Sequence, residues 1–356
     1  MKALLKNRAR LWMETLEDRT APAISVLSGT LPDANGNLNV TLNTSGTIFN
    51  VIQSGANQIT LSDNALGSLV INNVFGNITV NAKTTQAAAF AGNLNLNGTL
   101  TGNVSITLGR AAGATQVDFA MDASGASNIL GNLTVNVNSP TTTLADLTPA
   151  SATTVFGNLA VNLTGGTVAH TKGVNLSNLT VNGNVNLPNI NVLDAQAATT
   201  ILGTATVSTK ATSAVTNLVH LAATASVGNL SVVMGDVSGT GSSNVNLEGT
   251  VNGFATVRLG ANTGAATTNQ VNLGSGATFN GTQLTIVGGN GSKQINIGAI
   301  VAPAARLTVS LGNATDNQVN FLGGASLVSA TLIGGLGTNK VTGTVDFPLS
   351  LYRFSF

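Results

Sequence analysis

Cysteine is absent from the 356 residues, which excludes disulfides, thiolate nucleophiles and cysteine-ligated zinc. Charge is scarce. Asp, Glu, Lys and Arg make up 8% of the chain, against about 25% in ordinary globular proteins. That excludes a disordered polyelectrolyte, and the 43% hydrophobic fraction is enough to build a core. Aromatic residues are only 4%. No apolar run reaches the ~18 residues of a membrane-spanning helix, so no transmembrane segment is expected. The charge present is unevenly placed. Lys2, Lys6, Arg8, Arg10 and Arg19 all fall at the start, and the body after them is close to neutral. Such a body has no basic footprint, and no nucleic-acid partner is expected. A phosphate loop of the Gly-Lys-Ser/Thr kind and a Gly-x-Ser-x-Gly elbow are both missing, and the chain has only 2 His.

What is abundant is a repeat. One phrase, a small residue and often Asn before an alternating apolar stretch, recurs as Gly76-Asn-Ile-Thr-Val80, Gly102-Asn-Val-Ser-Ile106, Gly131-Asn-Leu-Thr-Val135 and Gly157-Asn-Leu-Ala-Val161. It continues through Ser177-Asn-Leu-Thr-Val181, Gly203-Thr-Ala-Thr-Val207, Gly228-Asn-Leu-Ser-Val232 and Gly253-Phe-Ala-Thr-Val257, with looser copies ending at Ile286, Val309 and Ile333. The mean period is about 25 residues, the signature of a stacked-repeat architecture. Between these copies lies a second series of apolar-polar-apolar triplets, for example Val117-Asp118-Phe119, Val219-His220-Leu221 and Val271-Asn272-Leu273. Each unit therefore predicts two strands of period-2 alternation joined by Gly/Asn/Thr/Ser turns. A unit this small cannot bury its apolar face alone, whereas stacking buries it. The expected fold is all-β: a right-handed parallel β-helix, or β-solenoid, with coils of about 25 residues.

Three segments follow from this pattern: 1–23 for export or targeting, 24–343 for the solenoid, and 344–356 as a C-terminal aromatic cap. Residues 24–75 read as its first, less regular coils, including Ile59-Thr-Leu61 and Leu69-Val-Ile71. The tail holds Phe347, Tyr352, Phe354 and Phe356, and a solenoid's last coil needs cover for its open edge. Its alternation also resembles the closing strand of outer-membrane barrels, but no barrel-length set of strands with aromatic girdles precedes it.

The first segment carries a basic stretch, then Met13-Glu-Thr-Leu-Glu-Asp-Arg19. This resembles the N-terminal motif of planctomycete extracellular proteins, a Leu-Glu-x-Leu-Glu-Asp-Arg type of sequence, with Met13 where Leu is usual. The resemblance covers about 20 residues and implies export or surface display, hence an extracellular or cell-surface location. It implies nothing about activity.

Two candidate sites emerge. Gly288-Gly-Asn-Gly-Ser-Lys-Gln-Ile-Asn296 and Gly334-Gly-Leu-Gly-Thr-Asn-Lys-Val-Thr342 are similar to the calcium-binding nonapeptide of repeats-in-toxin proteins. Lys293 and Asn339 stand where that family places Asp, with Asn317 as the aligned residue of the intervening copy. Calcium prefers carboxylate oxygens, so no calcium, and no other cofactor, is expected. The triplets also predict an outward column of Asp118, Asp146, His170, Asp194, His220, Asn246, Asn272, Asn296, Asn320 and Thr342. Within it Asp146, His170, Asp194 and His220 are the candidate metal ligands, being of zinc-binding type on successive rungs. An ion-free polar ladder is the favoured reading, because exposed side chains on a flat face lack supporting groups. No catalytic residue is singled out. The expected function is that of an exported, non-enzymatic structural or adhesion-type repeat protein with extracellular glycans or envelope components as partners. The alternative is a β-helix polysaccharide lyase or hydrolase, which needs the clustered carboxylates this sequence lacks.

Overall fold

The computed structural model describes residues 26–355 apart from 31, 66, 86–87, 111–114, 168 and 264–267, so the Met13–Arg19 motif lies outside the described residues. The described chain is all-β, a solenoid of about ten turns with a spacing near 26 residues. One wall stacks the long strands of the Gly-Asn phrase. Ile78–Thr84, Val104–Gly109, Leu133–Asn138 and Leu159–Thr164 pair in parallel, one coil on the next. The opposite wall stacks the triplet strands, among them Gln116–Ala123, Thr143–Leu147, Lys172–Leu176, Val192–Ala195 and Thr216–Leu221. Alternation decides which side chains go in. Val135 and Val161 face each other at 0% exposure, while Thr134 and Ala160 on the same rungs point outward and are half-buried.

From Ile78 onward the coils have three strands rather than the two expected. The third wall consists of short strands such as Thr99–Leu100, Ser127–Ile129, Thr153–Val155, Leu179–Val181, Thr250–Val251 and Thr278–Phe279. In Thr200–Thr209 and Val301–Ser310 the short and long strands run together, and register shifts at Ile201/Thr204 and Ala302/Arg306 mark the corner. Apart from Leu179–Val181, which the sequence pattern assigns to the long-strand series, these segments are not legible in the sequence because each contributes only one or two inward residues, too few for a period to register.

The beginning also differs from expectation. Leu38–Thr44 and Ile48–Gly55 do belong to the parallel walls. However, Gln58–Asp63 and Gly67–Asn72 fold back antiparallel on Ile48–Gly55, and Val26–Thr30 lies antiparallel on Leu38–Thr44. Asn57 supplies the positive φ of 58° for the first reversal. Asp63 holds the second by accepting the Ala65 amide at 2.8 Å. Antiparallel strands end a parallel stack without offering it another coil-like edge. At the other end, Leu349–Tyr352 adds a parallel rung to Ser326–Ile333. Phe347 packs there edge-on against Phe321, with ring centroids 5.6 Å apart. Among the described residues no helix is long and apolar enough to cross a membrane.

Candidate functional site

Three kinds of polar column run along the rod. The first is built by the Gly-Asn phrase at the corner before the long strand. Oδ1 of Asn37 accepts the Asn77 amide at 2.8 Å, and the pattern repeats upward from Asn77 to Asn103 at 2.9 Å, Asn103 to Asn132 at 2.8 Å and Asn132 to Asn158 at 2.7 Å. The preceding glycine is required by close approach of successive coils: a Cβ on Gly203 would sit 2.4 Å from the Gly183 carbonyl oxygen.

The second column is the outward ladder on the triplet wall, and it corrects the predicted one at two places. Paired residues run Ala120, Asp146, Asn175, Asp194, His220, Asn246, Asn272, Asn296, Asn320 and Thr342. Asp118 pairs instead with Ala91, one alternation step before the ladder, where it accepts the Leu144 amide at 2.8 Å. His170 lies in the turn before its coil's strand, and its Nδ1 accepts the Thr167 amide at 3.1 Å. Its rung belongs to Asn175, because Val174 and Leu176 are the inward pair of Lys172–Leu176. Val174-Asn175-Leu176 has the same apolar-polar-apolar form as the other triplets. Ser177-Asn-Leu-Thr-Val181, expected as the next copy of the long strand, belongs to the short-strand wall instead: Leu179–Val181 pairs with Thr153–Val155, and the long strand that pairs with Leu159–Thr164 is Val185–Ile190.

Of the candidate ligands, Asp194 and His220 come together, with His220 Nδ1 2.8 Å from Asp194 Oδ1 and its Nε2 4.0 Å from Glu248 Oε2. The other Asp194 oxygen takes the Gln196 amide at 2.8 Å. Asp146 is two rungs from Asp194 and takes the Thr148 hydroxyl at 2.9 Å. Among the described residues no group of three or more His, Cys, Asp or Glu is placed to hold a metal ion. Above His220 the ladder becomes a chain of amides, each donating to the rung below: Asn272 to Asn246 at 2.8 Å, Asn296 to Asn272 at 2.7 Å and Asn320 to Asn296 at 2.8 Å.

The third column points inward and was not anticipated as a column. Thr143, Lys172, Asn191, Asn217, Ser243, Asn269, Lys293, Asn317 and Asn339 begin successive rungs of the triplet wall, all buried. Lys172, Asn217, Asn269, Lys293, Asn317 and Asn339 donate to carbonyls of the segment that leads into that wall, whereas the Asn191 amide donates to Asn217 and the Ser243 hydroxyl makes no hydrogen bond. Lys293 Nζ donates to Asn290 and Gly291 carbonyls at 2.9 and 3.0 Å, Asn317 Nδ2 to Gly312 at 3.0 Å, and Asn339 Nδ2 to Gly335 at 3.0 Å. Lys172 Nζ donates to Leu163 at 3.2 Å. Thus the residues standing where the calcium nonapeptide has Asp put donor nitrogens, not carboxylates, among the turn carbonyls. A donor set that already supplies the positive end of those dipoles does not fit a hard cation.

Burial lowers the ammonium of Lys172 to about 8, helped by the neighbouring Lys210. Burial likewise lowers Lys293 to about 8, with the Asp236 charge opposing the shift. The signal available in the sequence was a polar residue two places before each inward apolar pair, which reads as turn material until the stacking is known.

Compared with protein-family models, curated proteins and solved structures, the chain matches none of them.

Proposed function

We infer that the chain is an exported, non-enzymatic rod of the cell surface or extracellular space, structural or adhesion-type in role. The observation that carries this reading is how the polar side chains are used. They are distributed in ladders along the rod and bonded largely to one another, as in the run Asn246 to Asn320. Chemistry requires groups converging on one point, whereas adhesion and scaffolding require a stiff surface repeated over distance. The basic stretch and the Met13–Arg19 resemblance support export. The competing reading, a polysaccharide lyase or hydrolase, draws on the Asp194–His220 pair.

Cell fractionation tests the proposal. The full chain is expected outside the cytoplasm, and a form lacking residues 1–20 is expected to fold but stay inside. Unchanged export of the truncated form would remove the segment's role. Cleavage of acidic or neutral polysaccharides, lost in Asp194→Asn, would establish the enzyme reading in its place.

A further inference from the structure

The third wall sets a row of open hydroxyls beside an exposed apolar edge. Its outward residues, in register from coil to coil, are Thr99, Asn128, Thr154, Thr180, Thr200, Ser226, Thr250, Thr278, Val301 and Ser326. On five consecutive rungs, Thr154 to Thr250, the hydroxyls make no hydrogen bond to another protein group. Each keeps a donor and acceptor capacity open. Two residues further along the same coils stand Phe156, Asn182, Leu202, Gly228 and Asn252. Phe156 is 48% exposed and Leu202 59%. Leu130 and Phe75, at 45% and 48%, extend this apolar edge towards the start of the rod, and Phe254 at 45% flanks its far side. Neither column carries a charged side chain on any of these rungs.

We propose that this strip, Thr154 to Thr250 with Phe156 and Leu202, binds a single strand of neutral polysaccharide running along the rod axis. The proposal rests on the extracellular reading above and names the partner class and the surface. A pyranose chain presents hydroxyl edges and apolar C–H faces, and the strip offers the complement of both: free hydroxyls in a row beside half-exposed Phe and Leu. An anionic glycan finds no basic partner here. An added peptide strand finds no free backbone edge, since the main chain of these rungs is already paired above and below, as in Thr154–Thr180 and Thr200–Ser226. The spacing of about 4.8 Å per rung places the five hydroxyls over roughly 19 Å, room for a run of several sugar units.

Pull-down of the purified full chain on cellulose, a β-1,3-glucan, a mannan and polygalacturonate tests this, with sedimentation velocity run alongside. At least one neutral polymer is expected to retain the chain and polygalacturonate is not. Thr180→Glu and Leu202→Asp are expected to lower retention at least tenfold with an unchanged circular dichroism spectrum, whereas Ser231→Glu, on the long-strand wall, keeps it. Retention by no neutral polymer, or retention equal in all variants, would overturn the proposal. So would a wild-type dimer that Leu202→Asp dissociates, since the strip would then be covered by a second copy. Each of these outcomes leaves the export result standing, because fractionation reads location independently of binding.

Discussion

Val161→Asp is expected to abolish cooperative folding of the middle of the rod, while Ala160→Asp, one residue away, changes stability by no more than about 0.5 kcal/mol. Val161 is 0% exposed and sits between Val135 on the previous coil and the core beyond it. A carboxylate there has no partner, and burying it costs several kcal/mol even after the group takes up a proton. Ala160 points outward between Thr134 and Asn186. The contrast follows from the period of two along a strand, so one step along the chain moves a side chain from core to solvent. Urea titration followed by far-ultraviolet circular dichroism checks it. Because coils are stabilised chiefly by their neighbours, Val161→Asp is expected to split the unfolding curve rather than shift it as a whole.

Alkaline pH is expected to stabilise the rod. Lys172 and Lys293 have ammonium groups brought down from 10.5 to about 8 by burial. Below about 8 both the folded and unfolded chains carry these protons, and the folded state bears the full cost of burying them. Between about 8 and 10.5 the unfolded chain still holds protons that the folded chain has released, so stability rises with pH across that window and levels off above it. A melting temperature measured from pH 7 to 10 is expected to climb, and Lys293→Met is expected to flatten part of the climb. Lys293→Ala is expected to lose about 2–5 kcal/mol, comparable to truncating a buried Met. It also strands the Asn290 and Gly291 carbonyls. A melting temperature that falls steadily above pH 8 would contradict the assignment.

The solenoid was legible because its two longer strand series repeat with enough residues to show a period. The Val80, Ile106, Val135 and Val161 series and the Val245, Val271, Ile295 and Val319 series are both fully buried, as alternation predicts. Where strands shrink to Ser127–Ile129 or Thr153–Val155, pattern gives way to composition and the third wall disappears into apparent turns, while Leu179–Val181 imitates the long-strand phrase and reads as a member of the wrong wall. Direction of pairing was also hidden. Ile59 and Leu61 alternate as any coil strand would, and only the reversal at Asn57 makes their strand antiparallel. The ladder was read correctly at Asp146, Asp194, His220 and the four asparagines above them, where triplets sit squarely in strands. It was misread at His170, where an Ala-His-Thr sequence in a turn competed with Val174-Asn175-Leu176. The buried column beginning with Thr143 and Lys172 was illegible for a different reason. A lysine or asparagine beside a glycine corner looks solvent-facing until the neighbouring coil covers it.

The central claim is that one outward position per coil stacks in register for the length of the rod. On the long-strand wall Thr79, Thr206 and Thr331 occupy one column, Thr206 five rungs from Thr79 and Thr331 five rungs further on. The chain has no native cysteine, so spin labels on Thr79→Cys/Thr206→Cys and Thr79→Cys/Thr331→Cys report those positions alone. Electron–electron dipolar spectroscopy is expected to give narrow distributions near 24 Å and near 48 Å, about 4.8 Å for every rung. Two similar distances, or broad distributions that do not scale with the number of rungs, would contradict the stacked rod and every surface assigned to it.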